Sequence, residues 1–268
     1  MRLTTLFESE TLPAHALPEE LSSTYDGNLA LQDGTVYANF VTTLDGVTAL
    51  GDGSPPSVIG GGSEADRFVM GLLRAWAGAV VIGAGTMNAE PNHLWTPEHV
   101  YPPMGGAYER LRRSLGLPSS PQLVVLSRSG NVATGAVSFE RGAVLLTTTS
   151  GAASIRRKLP SATSVRTVMS DRIDPKEVVA LLRRDGHRTI LTEGGPRVFG
   201  SFLRSRAVDE LFLTLSPRIA GRSRAVPRLG LVEDMALGSK ELLEANLLSA
   251  KREGSHLFLR YHLIRAAG

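Results

Sequence analysis

Apolar positions along this chain fall into two patterns, short continuous runs and stripes spaced three and four residues apart. The first run, residues 36–42 (VYANFVT), ends at the turn-like Leu44-Asp45-Gly46 and predicts a strand. Gly51 to Gly62 follows, too rich in Gly, Pro and Ser for regular structure. Ser63 then offers a helix cap with Asp66 three residues on, an acidic variant of the capping box. Phe68, Val69, Leu72, Leu73 and Trp76 form the stripe of that helix. The run 79–82 (AVVI) predicts a strand buried on both faces, breaking at Gly83-Ala84-Gly85-Thr86.

The alternation then repeats. Strands are expected over 122–126, 143–147, 165–169, 189–192, 211–215 and 256–263, and helices over 152–159, 174–185 and 197–206. Pro175 suits the first turn of its helix and Gly186 the position just past its end. No long helix is expected between the last two strands. The first 35 residues are polar and weakly periodic, and are expected to form an arm packed on a single domain spanning 36–268. Strand–helix alternation that closes in strands implies an α/β fold: a mixed, mainly parallel sheet flanked by helices, with antiparallel strands at the C-terminal end.

Composition narrows the chemistry. The chain has 268 residues, 42% hydrophobic and 21% charged, which suits a sizeable core and excludes a disordered chain. It contains no cysteine, which removes disulfide scaffolds, thiolate zinc sites, iron–sulfur clusters and a cysteine nucleophile. Lys and Arg total 29 against 26 Asp and Glu, too even for a nucleic-acid surface. The clusters Arg110-Leu111-Arg112-Arg113 and Arg156-Arg157-Lys158 are expected to be solvated helix sides. No apolar stretch reaches the roughly 18 residues of a membrane span, and the N-terminus lacks a hydrophobic signal core. A cytoplasmic protein is therefore expected. No metal site is expected, at His93 and His99 or elsewhere.

Three turns follow predicted strands, and in an open α/β sheet ligands bind beyond the carboxyl ends of the strands. In Thr192-Glu193-Gly194-Gly195-Pro196-Arg197, glycines let the backbone approach a pyrophosphate, and the helix N-terminus offers free N–H groups. A tight turn needing positive φ explains the same glycines. Gly83-Ala84-Gly85-Thr86 is the second turn. Ser127-Arg128-Ser129 is the third, suited to the 2′-phosphate of NADPH or simply an exposed turn. Asp66 is the leading carboxylate for proton chemistry, with helix capping as the alternative. Glu193 suits a site or a structural hydrogen bond, and Arg74 suits snorkelling or anion contact. No phosphate-binding Gly-Lys-Ser/Thr loop, strand-to-helix G-x-G-x-x-G or G-x-S-x-G elbow is present.

The segments 39–46 (NFVTTLDG), 73–76 (LRAW), 81–86 (VIGAGT), 191–196 (LTEGGP), 208–211 (VDEL) and Ser216-Pro217 to Gly221 occur in one order. That series resembles the RibD C-terminal family of riboflavin-biosynthesis reductases, over residues 36–263, and implies a dihydrofolate reductase-like fold. The resemblance implies a nicotinamide site at Val41, Thr42 and Val58, and further cofactor contacts at Gly83, Gly85, Thr86 and Glu90. It implies the 2′-phosphate at Ser127 with Arg128. It implies the pyrophosphate at Gly194, Gly195, Pro196, Arg197, Val198 and Phe199, in a run reaching Ser201. Substrate-side positions are Asn39, Arg74, Leu94 and Glu193. Asp66 falls where dihydrofolate reductases carry their pterin-binding carboxylate.

The substrate half departs from the family. Asn39 stands where a lysine is common, and Pro97 and Pro56 stand near positions that carry an arginine and a serine for the ribose phosphate. The implied activity is NADPH-dependent reduction of a pyrimidine- or pterin-type small molecule, with 5-amino-6-(5-phosphoribosylamino)uracil first. Dihydrofolate reduction and a nucleotide-binding module without turnover are the alternatives. Asp66 or Glu193 would bind the heterocycle's amino groups and steer a proton. The family implies a homodimer, with Phe258 and Tyr261 as interface residues. Family members fused to a zinc deaminase need cysteines there, so this chain is expected to be a stand-alone reductase.

Overall fold

Runs of apolar residues become strands buried on both faces. The computed structural model describes residues 1–155 and 158–264, so Arg156 and Arg157 of the second basic cluster lie outside the described residues. The strands are β1 (Thr4–Glu8), β2 (Val36–Thr42), β3 (Val47–Ala49), β4 (Ala79–Gly83), β5 (Gln122–Ser127), β6 (Val144–Thr148), β7 (Ser164–Val168), β8 (Ile190–Thr192), β9 (Glu210–Leu215), β10 (Leu229–Gly230), β11 (Ala245–Glu253) and β12 (His256–Leu263). The helices are α1 (Glu19–Tyr25), α2 (Glu64–Trp76), α3 (Ala84–Ala89), α4 (Pro97–Val100), α5 (Gly105–Ser114), α6 (Val137–Glu140), α7 (Thr149–Ile155), α8 (Pro175–Arg184) and α9 (Pro196–Arg204).

Ten strands form one sheet in the order β1-β11-β12-β9-β2-β8-β4-β5-β6-β7. From β9 to β7 every neighbour is parallel, and β1, β11 and β12 extend the β9 edge antiparallel. The expected fold class therefore stands. The period of two along each strand divides the core between the faces. Tyr37, Val80, Ile82, Val125 and Leu145 pack on one side, against the Phe68, Leu72, Leu73 and Trp76 stripe of α2. Ala38, Val81, Val124 and Leu146 pack on the other, against Val178 and Leu182 of α8 and Phe202 of α9.

The first 35 residues do more than drape over the sheet. Thr4 and Thr5 pair with Arg252 and Lys251, making β1 the edge strand, and Leu21 and Tyr25 of α1 are buried. Lys251, almost wholly buried, donates to the Thr5 hydroxyl at 2.8 Å and the Asp26 carbonyl at 3.0 Å, and lies over the Tyr25 ring. Asp26 accepts the Thr5 amide at 2.8 Å and Arg2 at 2.7 Å. The Thr5 amide first, and Arg2 next, hold its carboxyl at about 2, below the ordinary 3.8. Because the folded value is depressed, this tie is complete above 3.8 and is lost as pH falls toward about 2. Protection of the Thr5 amide against exchange should drop across that window. Asp26→Asn should remove the step; an unchanged wild-type profile would show that the tie does not hold β1.

The first basic cluster is not uniformly solvated. Arg110 and Arg113 are exposed, but Arg112 is only 1% exposed. Helix α2 ends at Trp76 with carbonyls that have no partner inside the helix. The Arg112 guanidinium donates to the carbonyls of Arg74 (3.1 Å), Ala75 (3.1 Å) and Ala77 (2.7 Å), and its Nε to that of Pro118 (2.7 Å). It caps α2 from a neighbouring helix, which spacing along α5 cannot reveal.

Candidate functional site

The chain runs outward from β4 through β5, β6 and β7, then returns to place β8 between β2 and β4. Such a reversal opens a crevice beyond the carboxyl ends of the strands involved. Here those ends are Thr42, Thr192 and Gly83, and the expected site residues gather around them.

Among the residues expected to hold the cofactor, Gly194 and Gly195 do not owe their identity to positive φ. Gly195 has φ −58° and neither residue is in the left-handed region, which corrects the turn explanation. Close packing explains them instead. A Cβ on Gly194 would lie 2.5 Å from Val198 Cγ1, and one on Gly83 would lie 2.8 Å from Val198 Cγ2. Gly195 faces Thr86, whose Oγ1 would sit 3.7 Å from such an atom. Helix α9 begins at Pro196 with no side-chain cap. Arg197 is exposed and pairs with Asp234 at 3.5 Å. The Phe199 ring is buried against Phe40 (centroids 4.7 Å apart), so only its backbone faces the turn, donating to the Gly195 carbonyl.

Where a break was expected, Gly83 instead opens the short helix α3, which carries Thr86; Gly85 is exposed. Ser127 is buried at the end of β5, while Arg128 and Ser129 are exposed beside it. The Arg128 carbonyl accepts the Thr148 hydroxyl at the end of β6 at 2.8 Å, and the Ser129 carbonyl accepts Ser154 of α7 at 3.2 Å, fixing the turn. Thr42 is buried, Val41 half-buried and Val58 exposed.

The residues expected on the substrate side hold the strongest electrostatics. Arg74 does not snorkel: its side chain is 3% exposed and pairs with Glu193, itself 8% exposed, at 2.8 Å. Arg74 Nε adds a second bond to Glu193 Oε2 at 2.9 Å, and Asn39 reaches Oε1 at 3.4 Å. Arg74 Nη1 faces His93 Nε2 at 3.1 Å and the Leu94 carbonyl at 3.4 Å. Arginine only donates, so His93 Nε2 accepts and its proton sits on Nδ1. Burial first, then the positive charge of Arg74, pushes His93 down to about 3, so it is neutral at working pH. Glu90, half-buried nearby, is raised by burial, with Arg74 opposing and Glu193 adding to the rise.

Asp66 is not spent on capping. The Ser63 hydroxyl accepts the Asp66 amide at 3.2 Å, but the Ser63 amide donates to the Gly60 carbonyl rather than to the Asp66 carboxylate. That carboxylate instead accepts the Thr214 hydroxyl and abuts Gly60, where a Cβ would lie 3.1 Å from Oδ2. Burial raises its pKa, opposed by Thr214 and His256 and reinforced by Glu193. His256 in turn approaches the Gly60 carbonyl at 3.1 Å. Sequence reasoning passed over His93, Thr214 and His256 in this role, because each acts through a partner distant in the chain. Pro97 is buried at the start of α4, and Pro56 begins a short 3-10 turn. Among the described residues no group of His, Asp and Glu is arranged to hold a metal ion, and no helix is long and apolar enough to cross a membrane. Phe258 is buried in one core cluster, and Tyr261, half-buried, packs against the other.

Comparisons with known proteins agree with this architecture. Residues 34–252 match the model of the RibD C-terminal domain. A chloroplastic riboflavin biosynthesis protein from Arabidopsis thaliana is 26% identical over 72% of this chain and 30% of its own length. The riboflavin biosynthesis protein RibD of Mycobacterium tuberculosis is 27% identical over 68% of this chain and 42% of its own. The chain thus spans less than half the length of these curated relatives. Among solved structures, a pyrimidine reductase-like protein from Corynebacterium diphtheriae shares the fold, with TM-score 0.69 at 23% identity over 87% of this chain and 92% of that one. With most of its length matched by the family model, the chain belongs to the RibD C-terminal domain family.

Proposed function

We propose that this protein is an NADPH-dependent reductase that transfers hydride to a pyrimidine-type substrate of riboflavin biosynthesis. The observation that carries it is the division of one crevice. Bare glycine turns and an uncapped helix end lie on one side, and a desolvated carboxylate released from capping lies on the other. The backbone at Gly194 and Gly195 would hold a pyrophosphate, and Ser127 with Arg128 a 2′-phosphate. NADPH, when bound, supplies the hydride. Asp66 would accept the heterocycle's amino hydrogens and hold a proton at its carboxyl oxygen, while Arg74 keeps Glu193 in place beside it. The carboxylate at Asp66 also suits a pterin, so dihydrofolate is the second substrate to assay.

The test is an NADPH titration followed by NADPH oxidation with candidate pyrimidines and pterins. Asp66→Asn should leave the NADPH Kd unchanged and lower kcat about 100-fold, the usual scale for losing a positioned proton donor. Since burial raises Asp66, wild-type kcat/KM should fall as pH rises through that elevated value, and the fall should vanish in the variant. Tight NADPH binding without oxidation by any such substrate would leave a binding module in place of an enzyme.

A further inference from the structure

We infer that the loop between β9 and β10 carries an anion site, built on Arg218 and Arg222, for the phosphate on the tail of the substrate. That the ligand is a substrate rests on the reductase proposal; the anion site itself does not.

Four arginines, Arg218, Arg222, Arg224 and Arg228, fall within this loop, and none pairs with a carboxylate among the described residues. Three are instead held by backbone carbonyls. Arg218 donates to Val58 at 3.2 Å, Arg222 to Gly46 at 3.2 Å, and Arg228 to Gly221 at 3.1 Å. A carbonyl fixes a guanidinium without cancelling its charge, so these cations are positioned without a direct ion pair among the described residues. Two acids lie near. Asp45 is occupied by the Thr43 hydroxyl and the amides of Ala220 and Gly221, and Asp52 lies toward Arg228.

The loop also lies where a substrate tail would end. It leaves β9 at the carboxyl edge of the sheet, with the Ser216 amide on the Thr42 carbonyl and the Leu44 amide on the Arg218 carbonyl. Arg218 covers Gly61, where a Cβ would lie 2.8 Å from Nε, and the adjoining Gly60 abuts Asp66. Inside the crevice Asp66, Glu90 and Glu193 face one buried cation among the described residues, Arg74, which Glu193 already matches. That interior suits hydrogen-bond donors and repels phosphate. The Ser127–Arg128 turn is no competitor for the same group, since β5 lies four strands from β9, about 19 Å at ordinary strand spacing. Phosphate on the substrate therefore finds its cation at Arg218 and Arg222.

Ribose 5-phosphate and ribose are titrated into the full chain by calorimetry, with and without NADPH. The phosphate ester should bind at least about tenfold tighter than ribose, the scale of one charge-assisted contact. Arg218→Gln, which removes the charge and keeps a polar amide, should erase that difference and preserve the NADPH Kd. Arg224→Ala, at a residue with no hydrogen bond or ion pair among those described, should leave it intact. Equal binding of the two sugars, or an undiminished preference in Arg218→Gln, overturns the site. Displacement of ribose 5-phosphate by NADPH also overturns it, by assigning the arginines to the cofactor. Binding that follows the expected pattern in a protein unable to oxidise NADPH would uphold the anion site while the reductase proposal fails.

Discussion

Glu193→Gln is expected to destabilise the fold by about 3 kcal/mol or more, because it leaves a buried guanidinium without its counter-charge. Arg74 would keep His93 and the Leu94 carbonyl, neither of which carries charge. Glu90 lies close enough to interact with Arg74, so the loss should fall toward the lower end of the range for broken buried pairs. Arg74→Met makes the opposite error: it strands Glu193 among Asp66 and Glu90 with no cation beside it. The double variant should cost clearly less than the sum of the two, since each single change leaves a charge that the double removes. Urea unfolding of the four proteins measures this coupling. Single losses below about 1 kcal/mol that simply add would mean that the pair is solvated rather than buried. Activity should fall in both single variants and stay low in the double, because stability is recovered there without restoring Glu193 beside Asp66.

That ion pair shows where a sequence is silent. Arg74 in an apolar helical stripe reads the same whether its head reaches solvent or a partner, and the partner is 119 residues away. Asp66 three residues after Ser63 reads as a capping box, and only the approach of Thr214 from β9 shows the carboxylate to be free of that task. The fold was more legible. Interior parallel strands must be apolar on both faces, so β2 was bounded to the residue and β4 to within one at its end, and the antiparallel β12 was bounded to the residue as well. The antiparallel C-terminal edge was expected, but two of its strands, β11 and β1, escaped notice for a physical reason. Strand β11 carries a register shift between Leu247 and Ser249 and a buried lysine, and β1 is mostly exposed. Neither keeps the alternation by which strands are recognised. Their partners and the Lys251 cluster, rather than their own pattern, make them strands.

The glycines around Val198 lead to the second large effect, and they separate packing from conformation. Gly194→Ala would place Cβ 2.5 Å from Val198 Cγ1 and 2.7 Å from its Cβ, whereas Gly83→Ala would meet only Cγ2, at 2.8 Å. Neither glycine has positive φ, so alanine meets no backbone strain at either position. Each substitution must therefore push the first turn of α9 away from the strand ends, an overpacking cost of about 1–3 kcal/mol. If that cost falls on the proposed pyrophosphate cradle, NADPH binding should weaken about 5- to 150-fold, at about 1.4 kcal/mol per tenfold. The contacts predict different rescues. Val198→Ala removes the Cγ2 methyl and should restore NADPH binding to Gly83→Ala. It should fail with Gly194→Ala, because Cβ of residue 198 remains in the way, and only Val198→Gly should relieve that variant. Fluorescence titration of NADPH with the set measures both effects. If Val198→Ala rescued both variants equally, or neither, the glycines would not be set by their distance to this one side chain. If NADPH bound every variant with wild-type affinity, the turn at Gly194 would not be where the cofactor rests.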